Sequence, residues 1–569
     1  MLCLRKGWLG AARWRSARGG RAPCAVRGCR PLQAGQAGQG RRAALRGGGT
    51  VLAAIALVTA ATSCTDAPRP PQPSHAPLAA QTHLPASATS VLAGAANVVA
   101  GSLAERLFTS APVVVVAGPG RSAELAAARS AQRAHAPLLL ASSWPGRAEA
   151  GGATGKAIRA AQPGTGRSSG PAGVVTALLR AQIKALDPRA VLAVGMAGNV
   201  QAARLPGIHV VTDPAMLPAT KAPSPLGHLA LLVHPGDSDA ATLAAVTTAR
   251  VAGVRVIAVR GADPRADPAA IAALSAARPR QVLAIGTGFG SAAQLASRVA
   301  VAQTGVQLPG GGQILFPGRL LVALYGHPGA PSLGVLGEQG LSASIARARK
   351  VATAYQALSR VPVIPALEII ATVAQARPGR DGAYSYQSSV ASLRPWVRRA
   401  TAAGMYVILD LQPGRASLLA QARSYRSLLR MPDVGLALDP EWKLTPRQLP
   451  LHQIGSVSIS EVNSVISWLA GLTESHRLPQ KLLVLHQFRL SMIRDEQQLD
   501  TRHEDLAILI HMDGQGTGAD KQQTWQAVTR AAPAGVAFGW KNFYAKDHPM
   551  MSPQQTIART PQLSMISYQ

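Results

Sequence analysis

Acidic and imidazole side chains recur in the second half of this chain at the ends of apolar runs. Glu368 follows Val363-Ile-Pro-Ala-Leu, Asp410 follows Met405-Tyr-Val-Ile-Leu, and Asp439-Pro-Glu441-Trp442 follows Val434-Gly-Leu-Ala-Leu. His486 follows Leu482-Leu-Val-Leu, and His511 and Asp513 close the run that starts at Leu506. A carboxylate inside an apolar strand is costly to bury unless it is paired or functional. One such residue could be a structural ion pair; five carboxylates and two histidines at equivalent places predict a shared cleft. Asp439 and Glu441 give the sharpest expectation. Residues i and i+2 on a strand point the same way, about 6–7 Å apart, so both would face one pocket. Close carboxylates raise one another's proton affinity, and one of them can then stay protonated as a general acid. That chemistry is acid–base hydrolysis. Glu441, Asp439, Asp410, Glu368 and Asp513 are its candidate catalytic residues, and Trp442, Trp540, His486 and His511 are candidates to bind the substrate.

A second chemistry uses the same residue types. His327, Asp410, Asp439, His486, His511 and Asp513 are ligands of the kind found in metal-assisted hydrolases and deacetylases. No His-x-His or His-Glu-x-x-His spacing supports it, so no metal and no other cofactor is assigned. A barrel that binds glycans without cleaving them is the third reading, and it stays open, as does whether the chain is an enzyme. No Gly-Lys-Ser/Thr phosphate loop is present. Gly286-Thr-Gly-Phe-Gly290 has its third glycine misplaced for a dinucleotide fingerprint and no acidic residue at the required distance beyond it, so it reads as a tight turn.

Eight strand-like runs, opening at Leu320, Val363, Met405, Val434, Leu482, Leu506, Gly535 and Leu563, alternate with helical stretches over residues 319–569. That length and rhythm predict a (β/α)8 TIM-like barrel, whose active sites form at the C-terminal ends of the strands, where residues scattered in sequence converge. The Asp-x-Glu at the end of the fourth run, with Gly435 six residues before Glu441, resembles the chitinase-like and lysozyme-like barrel glycosidases. Ala437 stands where the chitinase pattern has a further Asp. The resemblance implies Glu441 as the acid that protonates the glycosidic oxygen and Asp439 as its partner.

Residues 105–312 alternate short apolar runs with Ala-rich helical stretches, a pattern of parallel sheets covered on both faces. The order recurs: Val113 to Leu205 and Leu229 to Val299 each run strand, glycine turn, helix, strand, helix, strand, which predicts two copies of one α/β unit. The opening Val-rich strand, the Ala-Pro-Leu-Leu-Leu at Ala136–Leu140 and the Val-Leu-Ala-Val-Gly at Val191–Gly195 resemble type 2 cell-wall-binding repeats of bacterial surface proteins. That resemblance implies non-covalent attachment to anionic envelope polymers. The fold class expected for the whole chain is therefore α/β, repeated α/β units followed by a barrel.

Residues 65–104 open on Pro-rich, aperiodic sequence and read as a tether. Residues 1–64 read as a signal peptide with an atypical basic extension. Arg41, Arg42 and Arg46 precede an apolar run of about ten residues from Val51, too short to span a bilayer. Ala61-Thr-Ser-Cys64 follows and resembles a bacterial lipobox, which implies lipidation of Cys64. Cys64 is also the last of the four cysteines, so a chain cleaved before it could form no internal disulfide. The expectation is a lipoprotein of the cell envelope on the outer face of the cytoplasmic membrane, partnered by that membrane and by wall or other envelope polysaccharide. Beyond residue 64 stand 47 basic against 27 acidic residues, a net charge of +20 that suits anionic polymers. With no basic motif interleaved with aromatics, and with an export signal, nucleic acid is not expected as a partner.

Overall fold

The computed structural model describes residues 76–143, 173–174, 176–196, 205–237 and 239–569. The signal and lipidation readings, with all four cysteines, fall outside these residues. No helix among them is long and apolar enough to cross a membrane.

The N-terminal strands are Thr89–Leu92 (β1), Val113–Ala117 (β2), Leu138–Leu140 (β3), Ala190–Val194 (β4), His209–Val211 (β5), Leu229–Val233 (β6), Arg255–Ala258 (β7) and Gln281–Ile285 (β8). They form two four-stranded sheets, β5-β4-β2-β3 and β7-β6-β8-β1, and every pairing is parallel. Val and Leu fill both faces of β2 and β6, as burial on both sides requires. The end of the segment read as a tether is folded: β1 borders the second sheet, and Ala96–Leu107 is a helix. Gly286–Gly290 is a tight turn with positive φ at Gly286 and Gly290.

Residues 320–568 form a closed barrel. Its strands are Leu320–Gly326 (β9), Val363–Ala374 (β10), Tyr406–Leu411 (β11), Val434–Leu438 (β12), Lys481–Gln487 (β13), Leu506–Met512 (β14), Ala537–Asn542 (β15) and Leu563–Tyr568 (β16). Each is parallel to the next, and β16 pairs with β9 to complete the circle. Side chains alternate along each strand. On β11, Val407, Leu409 and Leu411 pack outward under the helices, and Tyr406 and Ile408 point into the barrel. Gly435 on β12 makes room for this interior: a Cβ there would lie 3.1 Å from the Tyr406 ring and 2.8 Å from the Leu482 carbonyl.

The linker between the halves belongs to the barrel. Leu308 and Leu315 are buried with Leu321, Ile364 and Leu482 in the lower interior, closing its floor. Gln313 is fully buried, its backbone N–H donating to the Arg265 carbonyl at 2.7 Å and its carbonyl accepting from Gln480 at 2.8 Å. Beside it Arg265 reaches Asp263 at 2.8 Å and Glu504 at 3.2 Å, and Arg298 reaches Glu504 at 2.7 Å. Arg265 is only 4 % exposed, whereas its partner Glu504 is 39 % exposed, so the buried guanidinium is the anchor of this network and its outer side meets solvent. Leu315→Ala, which opens a hole under the barrel, should lower unfolding stability by about 2–5 kcal/mol in urea titration.

Candidate active site at the barrel mouth

Each barrel strand ends on a side chain that chemistry can use. Tyr325, Asp410, His486, His511, Lys541 and Ser567 lie on the upper halves of β9, β11, β13, β14, β15 and β16, Glu368 lies at the middle of the longer β10, and all are buried. Asp439 and Asp513 stand one residue past β12 and β14. Register sets the layer: Tyr325 pairs with Glu368, His486 with His511, and Lys541 with Ser567. Gly539 supplies the space for His511, since a Cβ there would fall 2.1 Å from its Nδ1.

One correction concerns the sharpest motif. Asp439 and Glu441 are not successive residues of one strand face. The strand stops at Leu438, and Pro440–Trp442 forms a 3-10 turn. Proline has no N–H for a sheet ladder, and its fixed φ suits the first position of such a turn. Glu441 comes to the mouth by that turn, partly exposed above the buried Asp439.

His486 lies between two carboxylates. Its Nε2 is 2.9 Å from Glu368 Oε1 and its Nδ1 is 3.1 Å from Asp513 Oδ2. Burial opposes a charge on the ring, but the two acids outweigh it and hold the imidazolium, raising its pKa well above the ordinary value. Both ring N–H groups donate, so neither nitrogen has a lone pair for a metal. Among the described residues no group of three or more His, Cys, Asp or Glu is arranged to hold a metal ion. His327, one residue past β9, lies in a turn with Nε2 3.1 Å from Ser388 Oγ.

The other acids divide by environment. Asp513 is held below the usual carboxylate range: burial pushes it up, and the hydrogen bond and charge of His486 more than offset that. Asp410 is pushed up to about 6, first by burial, although Tyr325 donates to it at 2.8 Å. Asp439 is raised well above its ordinary value by burial and then by Glu441. Glu441 rises to about 7, through burial and then the Asp513 charge. His511 is kept neutral by burial and by the His486 and Lys541 charges, with Nε2 2.7 Å from Ser567 Oγ. Glu368 Oε2, Asp410 Oδ1, Asp439 Oδ1 and Asp513 Oδ1 are all buried and reach no hydrogen-bond partner among the described residues. Buried polar atoms are normally satisfied, so four such oxygens at one strand-end layer fit a place where hydroxyl donors of a ligand bind.

The structure thus brings together Glu368, Asp410, Asp439, Glu441, His486, His511 and Asp513, with Trp442 in the same turn as Glu441. It does not bring Trp540. That ring is fully buried on the outer face of β15, edge-on to Trp525, with Nε1 donating to Asn542 at 2.9 Å. It packs the helix layer and cannot stack on a sugar here. Tyr325, Lys541 and Ser567 complete the mouth and were not among the sequence candidates. Their signal is the same strand-end position, masked at Lys541 because it directly follows the apolar run that opens at Gly535.

No family model matches the chain, and no curated protein is similar to it in sequence. What can be said of function rests on the mouth itself. If the two acids hold the imidazolium, Asp513→Asn should lower the pKa of His486, read as a downfield move of its ring nitrogens in 15N NMR at neutral pH. An unchanged ring signal would sink that account.

Proposed function

We propose that this chain is a lipid-anchored protein of the bacterial cell envelope whose barrel binds and hydrolyses a polysaccharide there, with Glu441 as general acid. The observation that supports it most is the convergence of Asp439 and Glu441 on one mouth with three further carboxylates whose inner oxygens lack partners. A sugar, with hydroxyl donors on most of its ring carbons and few charges, matches a cradle of acceptors. Glu441 in its protonated form donates to the glycosidic oxygen as the C–O bond breaks, the developing positive charge at the sugar carbon faces the carboxylates around it, and a water then adds to that carbon, its proton passing to the Glu441 carboxylate. Asp439, protonated at rest, donates a hydrogen bond to the substrate. Asp513, tied to His486, keeps its charge and supports proton retention on Glu441. Residues 41–64 supply the grounds for export and for lipid attachment at Cys64.

The N-terminal half has the part of attachment in this proposal. Its two parallel sheets share a strand order, in which the first strand of each unit lies between the second and the third. That order fits two copies of one unit, as in cell-wall-binding repeats, and the net charge of the chain beyond residue 64 suits an anionic polymer.

The test is release of new reducing ends from peptidoglycan and envelope polysaccharides by the purified chain, with and without EDTA. Wild type should release them under both conditions. Glu441→Gln should lower the rate by about 10²–10⁴, the usual worth of a positioned general acid. Binding to cell wall without release from any substrate would make this a glycan-binding barrel; release abolished by EDTA alone would favour the metal chemistry. The rate should fall as pH rises through about 7, where Glu441 loses its proton.

The same proton affects stability. A carboxyl whose folded pKa is raised contributes stability that is present below its unfolded value and lost as pH rises through the folded one. For Glu441 that window runs from 4.5 to about 7. Glu441→Gln should therefore melt at a higher temperature than wild type at pH 8 and at nearly the same temperature at pH 4, by scanning calorimetry.

A further inference from the structure

Nine lysines lie beyond Cys64, and Lys481, Lys521 and Lys541 are buried. Two of these three are satisfied by protein. Lys481 Nζ donates to the carbonyls of Met431 at 2.7 Å and Val434 at 2.9 Å. Lys521 pairs with Asp547 at 2.5 Å and donates to the Lys541 carbonyl at 2.7 Å. Lys541 differs. It is 3 % exposed, yet its ammonium makes no hydrogen bond or ion pair with any described residue. Its contacts are faces of rings: Tyr325, 3.5 Å from the centroid, and Phe543, 5.3 Å away. Ring faces hold a cation without using its N–H groups, so the three donors of this ammonium remain available within the mouth.

The position is also specific. Lys541 lies across the mouth from the turn that carries Glu441, and its charge bears on Asp410, Glu441 and Asp513 without being in ion-pair contact with any of them. Lys546, five residues on and exposed at the rim, lies 5.8 Å from the same Phe543 ring and interacts with Glu441 as well. The acids stand at or just past β10, β11, β12 and β14, and two ammonium groups follow on and just beyond β15. A counter-ion to the carboxylates would form pairs with them; Lys541 forms none.

We infer that Lys541, with Lys546 above it, binds an anionic substituent on the sugar beside the bond that Glu441 protonates, so that the preferred ligand is an acidic glycan bearing a carboxylate or phosphate. The inference rests on the glycan reading of the same mouth. A compact ammonium with free donors suits one oxygen of either anion. Lys541 is then a specificity residue.

The experiment is isothermal titration calorimetry with the full-length Glu441→Gln chain, which binds without turnover. Three oligosaccharides of equal length are compared: neutral N-acetylglucosamine units, the same with carboxylate-bearing lactyl ethers on alternate sugars, and the same with phosphate esters. One acidic form should bind about 10- to 100-fold more tightly than the neutral one, the range of a charge-assisted hydrogen bond, and which one does so identifies the anion. Adding Lys541→Met should erase that preference while leaving neutral binding in place. Lys546→Ala, at an exposed site that the fold tolerates, should reduce it in part. Equal affinity for all three would overturn the inference and leave the glycan reading standing, as would a preference that survives both lysine changes. No binding of any of the three would remove the glycan reading, and this inference with it.

Discussion

Carboxylates repel one another, and burying several around one small space raises the energy of every one that keeps its charge. His486 relieves that constraint in this barrel. With Glu368 on one nitrogen and Asp513 on the other, its imidazolium sits in the middle of the acidic layer and holds a positive charge that burial alone would remove. The remaining acids then settle by protonation rather than by pairing. Asp439 is pushed well above the usual carboxylate range, Glu441 up to about 7, and Asp410 up to about 6. Without His486, Asp513 would lose the partner that holds it ionised, and with it the charge that keeps Glu441 protonated.

That arrangement needs a rigid frame, because electrostatic effects at these distances change with small displacements. The frame is built from alternation along parallel strands. Outward Val and Leu lock each strand under its helix, and inward small residues such as Gly435 and Gly539 leave room for Tyr406 and His511. The floor comes from outside the barrel: Leu308 and Leu315 of the linker fill it, and the Arg265–Glu504–Arg298 network holds the preceding α/β half against that end. The two halves meet at the floor, and the mouth is left open at the opposite end.

Much of this was legible in the residues. Continuous apolar runs punctuated by glycine turns are a strong strand signal, and all eight barrel strands and seven N-terminal ones lie where those runs fall. Acids at strand ends were legible for the same reason, because a charge in an apolar run has few structural explanations. What failed did so for physical reasons. Pro440 stops the fourth strand at Leu438 and turns Glu441 out of it, a local effect that a period of two cannot represent. Trp540 and Lys541 are neighbours on β15 and point to opposite faces, and an apolar run does not by itself say which of the two faces inward. Strand β1, at the end of a Pro-rich segment, has only four residues and gains its stability from β8, some 190 positions away, which no local pattern displays. Tyr325 was inside a recognised strand, but a tyrosine there is as well explained by packing.

The circle of strands closes where β16 meets β9, with Met565 opposite Leu321. Those residues are separated by most of the barrel's length in sequence, and joining them carries the loop-closure entropy of that whole span. Until β16 docks, β9 and β15 present bare edges, a ready template for pairing with other chains, and Ser567 is absent from beside His511. The ring around the mouth is therefore complete only when the last few residues of the barrel are in place, although the acids themselves stand on earlier strands.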